Sequence, residues 1–285
     1  MPDRIVCFGD VIDDIVVIPR GPIRDDTDTW STIRFRPGGS AANTAAWLAH
    51  VGAAAELVAC VGAADAARHA DALAGVRTRF TTHPDLPTGT IVVLVDGERR
   101  SMLTERGANA ALDPAAVTDD VLADARVLHV TGHVLRNELG IGDLIPRARA
   151  AGVAVCVAPG SAGLIADLGP AVVAERLAGA TIIIASLDEG RLLTGLTDPH
   201  EIANALGVEV AVLTRGRDGV VVVAGGAVHD VAAVPAAEVV DPTGAGDAFA
   251  AGFLAEWVAT GDARSAAEAG AAVAAHAVAR LGARP

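Results

Sequence analysis

The chain of 285 residues contains no tyrosine, and aromatic residues make up only 3% of it. Because 52% of the residues are hydrophobic, packing of the interior falls to small side chains, alanine and valine above all. No apolar run approaches the roughly 20 residues needed to cross a bilayer, and the opening Met-Pro-Asp-Arg lacks the character of a secretory signal. These absences lead us to expect a soluble, cytoplasmic protein without a membrane partner. Cysteine is scarce as well: Cys7, Cys60 and Cys156 each sit in apolar, strand-like runs, which suits buried reduced thiols and no metal site. Positive charge is in deficit, 22 basic against 35 acidic residues for a net charge of −13, which excludes nucleic acid as a partner. A nucleotide remains allowed, since backbone N–H groups and magnesium can bind it locally. Finally, Gly9-Asp10-Val11-Ile12 after the first strand lacks the G-x-G-x-x-G turn, which argues against a dinucleotide-dependent oxidoreductase.

What is present is an alternation of strand and helix. RIVCFGDV, AELVACVG, VLHVTG, VAVCVAP, ATIIIAS, EVAVLTRG and GVVVVAGG read as buried or half-buried strands. Alanine-rich segments of helical length lie between many of them, as at 41–51, 64–74 and 141–151. Such a chain makes a mostly parallel sheet covered on both faces, with ligands at the carboxyl ends of its strands. Two stretches, 15–37 and 87–106, read instead as strands and turns without helices, and Asp96-Gly97 reads as a hairpin turn.

Residues 241–254, DPTGAGDAFAAGFL, carry the densest chemical signal. Gly244 and Gly246 flank Ala245, so an anion can approach their backbone N–H groups closely. Phe249, Phe253 and Trp257 recur at every fourth position, marking a helix with Asp247 in or near its first turn. The positive end of that helix favours a phosphate. A carboxylate there repels the same phosphate, and general-base chemistry on an acceptor hydroxyl is a reason for its presence. Taken alone, the segment is equally a tight turn and a helix cap.

A second glycine motif lies at 38–62, GGSAANTAAWLAHVGAAAELVACVG, where Gly38 and Gly39 allow close backbone approach and Asn43 offers a donor and an acceptor. Together the two segments resemble both signatures of the ribokinase-like carbohydrate kinases, the phosphofructokinase B family. The first is matched at Gly38, Gly39, Asn43, Ala45, Gly52 and Gly62, the second from Asp241 to Leu254 without a gap, and the likeness runs from Ile5 to about Gly282. The resemblance implies one ribokinase-like α/β domain over 1–285: a three-layer, doubly wound, mostly parallel sheet with a small β-lid formed by 15–37 and 87–106. It implies transfer of the γ-phosphoryl group of ATP to a hydroxyl of a small sugar or sugar-like acceptor. Asp247 would be the general base, and the N–H groups of Gly244, Ala245 and Gly246 the anion hole. ATP, Mg2+ and a monovalent cation such as K+ are the implied cofactors, and a homodimer made through the lid the implied assembly.

Further residues follow from the same likeness. Asp14, five positions after Gly9, would clamp acceptor hydroxyls, with Asp10 and Asp13 as competitors; strand alternation puts Asp10 and Asp14 on one face if the strand persists. Gly38, Gly39 and Asn43 would complete the acceptor site, and Arg106 is either a partner for a substrate anion or a surface arginine. Thr214 and Gly216, with Thr243, Ala274, Ala277 and Gly282, would line the nucleotide; Arg215 is either a phosphate partner or solvated. Asp241 would lie near the cation, and Glu189 near magnesium. The family usually shows Asn-x-x-Glu at the last of these, whereas this chain has Ser186-Leu187-Asp188-Glu189. Asp65 is likewise displaced by one from the family's Gly-x-Asp-x-x-Gly. His129 and His133, at and beyond a strand end, are open between pocket and core. The same fold serves nucleoside kinases and non-catalytic relatives, while GERRSMLTERGANAAL leans towards ribokinase-type and sugar-acid kinases.

Overall fold

The computed structural model describes residues 3–96, 99–137 and 141–285. Its strands are β1 (Arg4–Phe8), β2 (Ile12–Pro19), β3 (Ser31–Gly38), β4 (Ala55–Gly62), β5 (Arg77–His83), β6 (Gly89–Asp96) and β7 (Arg99–Glu105), followed by β8 (Ala125–Thr131), β9 (Ala154–Ala158), β10 (Ile182–Ser186), β11 (Val210–Thr214), β12 (Val220–Ala224) and β13 (Ala227–Val231). Nine of them form one sheet in the order β13-β12-β11-β10-β9-β8-β1-β4-β5. It is parallel from β5 to β11 and antiparallel from β11 to β13.

Successive side chains of a strand point to opposite faces, and here each face has its own core. Ile5 and Cys7 pack with the helices Ser40–His50, Ala245–Thr260 and Ala263–Val278, whereas Val6 and Phe8 pack with Leu144–Ala150, Ala162–Leu168, Pro170–Leu177 and Pro199–Ala205. This is the three-layer arrangement that continuous apolar strands require. Cys7, Cys60 and Cys156 are free and buried, and burial pushes the Cys7 and Cys156 thiols far above their ordinary range. No helix among the described residues is long and apolar enough to cross a membrane.

The two helix-free stretches form a second sheet, β3-β2-β6-β7. The turn expected at Asp96-Gly97 falls outside the described residues. One expectation is overturned: the first strand does not persist to Asp14. It ends at Phe8, and β2 starts at Ile12 in the other sheet. Between them the Asn109 side chain takes both backbone groups of Val11, donating from Nδ2 to the carbonyl (2.8 Å) and accepting its N–H at Oδ1 (3.1 Å). Asp10 therefore lies in the connection between the two strands and Asp14 in β2, so they share no strand face.

Candidate active site

The chain enters the helix Ala245–Thr260 through Gly244, which is left-handed at φ 77°, ψ 4°. That turn brings the first N–H groups of the helix to its open end; the Ala245 N–H donates to the Pro242 carbonyl (3.2 Å), and Gly246 sets no side chain in front of its own. Asp247 lies in this first turn and is held from the other glycine motif. Ser40 Oγ donates to its Oδ1 (2.5 Å) and Asn43 Nδ2 to its Oδ2 (2.9 Å). A carboxylate has about four acceptor sites, so both oxygens keep a lone pair for an incoming hydroxyl. Burial pushes Asp247 up to about 6, against the hydrogen bonds of Ser40 and Asn43 and the charge of Arg284. It is thus a stronger base than a free aspartate, yet mostly ionised at neutral pH.

The three acidic residues after Gly9 are separated by their partners. Asp10 is buried and accepts from Arg106 Nη2 (3.3 Å). Asp13 takes both terminal nitrogens of Arg68 (2.7 and 2.8 Å). Of the three, only Asp14 has no arginine hydrogen-bonded to it among the described residues. It stands against Gly38, where an added Cβ would lie 2.6 Å from its carboxyl carbon. Burial pushes Asp14 up to about 6, with Arg284 opposing and Asp13 and Asp247 reinforcing the rise. Gly39, at φ 94°, admits no side chain, since a Cβ would meet the Ile12 nitrogen at 2.9 Å. The two glycines thus bring β2, with Asp14, down onto the helix that carries Ser40 and Asn43.

Arg106 is turned into the wall of the cleft. Besides Asp10 it donates to Asn137 Oδ1 (2.5 Å), and Asn137 Nδ2 donates to the carbonyls of Asn109 (3.3 Å) and Leu112 (3.0 Å). His133 joins this cluster electrostatically; burial lowers its pKa while Asp10 raises it. His129 is a core residue, buried and held down to about 4 by desolvation. The displaced Asp65 accepts from the Thr88 N–H (3.1 Å) and from Arg68 (3.0 Å), so it braces the cleft rim.

The residues expected around the nucleotide come from the end of β11, the turn after it, the turn before the helix Ala245–Thr260, and the helix Ala263–Val278 with the segment that follows. Thr214 ends β11, its Oγ1 donating to the Ala185 carbonyl (3.4 Å), and Gly216 is left-handed at φ 57°. Arg215 is paired with Asp230 (3.1 Å). Ala277 lies in the core, Ala274 is half-buried beside it, and Gly282 is left-handed at φ 102°. Asp241 Oδ1 accepts from the N–H and hydroxyl of Thr243 (3.0 and 2.7 Å), and its Oδ2 from the Gly282 N–H (3.2 Å). Glu189 forms a capping box: its Oε2 accepts the Ser186 N–H (2.6 Å) while Ser186 Oγ accepts the Glu189 N–H (3.3 Å). The serine that replaces the family's asparagine is thereby a helix cap. Among the described residues no group of three or more His, Cys, Asp or Glu could hold a metal.

Ser40, Asn137 and Arg284 are members of the site that the sequence reading missed. Ser40 stands inside the first glycine motif and was legible there. Asn137 and Arg284 carry no local pattern.

The pattern of the pfkB family carbohydrate kinases matches residues 2–285, and the chain belongs to that family. An ATP-dependent ribose-1-phosphate kinase from Halopiger xanaduensis is 32% identical over 99% of this chain and 94% of its own length. An adenosine kinase from Saccharomyces cerevisiae is 30% identical over 76% of this chain and 70% of its own. Among solved structures, Arabidopsis thaliana ribokinase complexed with ribose and ATP superimposes with a TM-score of 0.83 at 26% identity, covering 99% of this chain and 95% of that one. The protein is a ribokinase-family kinase of the sugar and nucleoside kinase kind.

Proposed function

We propose that the protein transfers the γ-phosphoryl group of ATP to the primary hydroxyl of a small ribose-containing acceptor. The observation that carries this reading is Asp247, raised towards neutrality at a helix N-terminus and aimed by Ser40 and Asn43. In the transfer, the acceptor oxygen bonds to the γ-phosphorus as the bond to the ADP oxygen breaks. The hydroxyl proton passes to Asp247. The N–H groups of Gly244, Ala245 and Gly246 face the charge on the phosphoryl oxygens, that of Ala245 shared with the Pro242 carbonyl (3.2 Å); one such donor is worth roughly 3–4 kcal/mol. Asp14 accepts two hydroxyls of the acceptor, which suits a vicinal diol. Magnesium, when bound with the nucleotide, neutralises the phosphates; Glu189 and Asp241 are the carboxylates available to its water shell. Thr214 and Gly216 border the nucleotide, with Thr243, Ala274, Ala277 and Gly282 on its other side. The ribose ring is the feature common to the acceptors in the names of the relatives, ribose 1-phosphate, adenosine, cytidine and ribose.

Two copies of the chain associate, in this reading, through the outer face of the second sheet. Strand register places Ile33 and Phe35, Ile15 and Val17, Val92 and Leu94, and Leu103 on one face, opposite to Asp14 and Arg36.

The test is ADP release with magnesium and ATP across ribose 1-phosphate, ribose, adenosine and cytidine, for the parent and Asp247→Asn. One acceptor should dominate, and the variant should lose at least about a hundredfold in kcat. Turnover that survives the substitution would remove Asp247 as the base.

A further inference from the structure

One cation of this cleft belongs to neither glycine motif. Arg284 reaches it from the segment that follows the helix Ala263–Val278, and that segment is firmly fastened. The Val240 and Asp241 N–H groups donate to the Val278 carbonyl (2.8 and 3.1 Å), the Gly282 N–H to Asp241 Oδ2 (3.2 Å), and Trp47 Nε1 to the Ala283 carbonyl (2.9 Å). Ala283 is buried against the anion-hole turn; a Cβ on Gly244 would lie 2.7 Å from its own. The segment is a wall of the site.

From this wall Arg284 Nε donates to Asn43 Oδ1 (3.1 Å) and Nη2 to the Gly38 carbonyl (2.7 Å). A side-chain amide has one oxygen and one nitrogen, so a guanidinium on the oxygen fixes which way the nitrogen points. It points at Asp247. The third guanidinium nitrogen, Nη1, is buried with no partner among the described residues, leaving it for an oxygen of the bound substrates. The chain contains no lysine, and the other arginine of the cleft wall, Arg106, is held by Asp10 and Asn137.

Resting on the reading of Asp247 as base, we propose that Arg284 is a positioning residue for phosphotransfer: it locks the Asn43 amide towards Asp247 and supplies the positive charge that keeps this carboxylate ionised in a desolvated cleft. The groups facing Asp247 come from four elements. Asp14 on β2 carries a like charge, Cys7 on β1 is a neutral buried thiol, Ser40 and Asn43 donate hydrogen bonds, and Arg284 is the cation. Burial draws Arg284 down to about 10, so it stays charged at neutral pH. Without it, the desolvation of Asp247 is opposed only by two neutral donors, and the carboxylate must hold its proton to higher pH.

The experiment follows the Asp247 carboxyl directly, by NMR titration of protein labelled with 13C at the aspartate side chains, its resonance identified by its loss in Asp247→Asn. The midpoint should move up by about one pH unit in Arg284→Gln and return towards the parent value in Arg284→Lys. The acid limb of turnover on ribose 1-phosphate, ribose, adenosine or cytidine should move with it. Coincident midpoints in the parent and a folded Arg284→Gln overturn the role of Arg284 and leave Asp247 untouched. Turnover retained by Asp247→Asn overturns the base assignment itself, whatever Arg284 does.

Discussion

At the scale of single residues, the two carboxylates of the cleft set function against stability. Asp247 and Asp14 are both raised from 3.8 to about 6, in each case chiefly by burial. Between those values the folded protein holds protons that the unfolded chain releases. Their contribution to stability is therefore fully present below about pH 4 and is lost as the pH rises through 6. One pKa unit corresponds to about 1.4 kcal/mol, and the opening of the cleft to solvent keeps the net effect for Asp247 at about 2 kcal/mol. Asp247→Asn should accordingly melt several degrees higher than the parent at pH 8 and at the same temperature at pH 4. Thermal melts at the two pH values check this; equal shifts at both would mean that the carboxylate is not desolvated. In the proposed mechanism the same ionisation serves catalysis in the opposite sense, since a general base must be deprotonated. The parent's kcat/KM should rise between pH 5 and 7 and then level off, and a profile flat down to pH 5 would place the ionisation elsewhere.

At the scale of elements, the two glycines that flank Ala245 can be told apart by substitution. Gly244 is left-handed and has Ala283 where a side chain would go, whereas Gly246 is helical with nothing within 4 Å of an added Cβ. Gly244→Ala should lower the melting temperature through roughly 1–2 kcal/mol of backbone strain plus the displaced wall. Gly246→Ala should melt at or above the parent temperature, because alanine favours a helix by about 1 kcal/mol over glycine, while ATP turnover falls as a methyl group enters the phosphate's approach. Equal turnover in Gly246→Ala and the parent would mean that no anion comes close to that nitrogen. Glu189 invites a parallel comparison. A glutamine still closes the capping box, so Glu189→Gln should keep the stability of the parent, and a shift in its magnesium requirement would point to the metal rather than the cap; Glu189→Ala should cost about 1 kcal/mol.

The same elements show what the sequence could and could not say. Runs such as ATIIIAS and GVVVVAGG became β10 and β12 because strands buried on both faces are apolar throughout. β5 and β13 were not read, being mixed in polarity and partly exposed near the sheet edges. Asp247 was legible because a turn, a helix start and a carboxylate are neighbours in the chain. The break between β1 and β2 was not, since it depends on Asn109, nearly a hundred positions from Val11. Arg284 was invisible for the same reason: its partners Gly38 and Asn43 lie at the other end of the sequence.

At the scale of the whole molecule, the second sheet has a face that a lone chain leaves uncovered. Phe35 is 76% exposed, Leu103 60% and Ile33 56%, and register sets them with Ile15, Val17, Val92 and Leu94. Monomers rarely present a contiguous apolar patch of this kind to water. The opposite face carries Asp14, the proposed acceptor clamp, into the cleft, so whatever covers the apolar side also fixes its position. A two-fold interface would bury the same residues of both copies, which is the commonest way such a patch is closed. Phe35→Asp places a charge at the most exposed of these positions. Sedimentation should find the parent as a dimer and Phe35→Asp as a monomer, with the main-sheet core equally stable in both and the KM for the acceptor raised in the variant because its clamp is no longer braced. A parent that sediments as a monomer at every concentration tested would show that the face is closed in some other way.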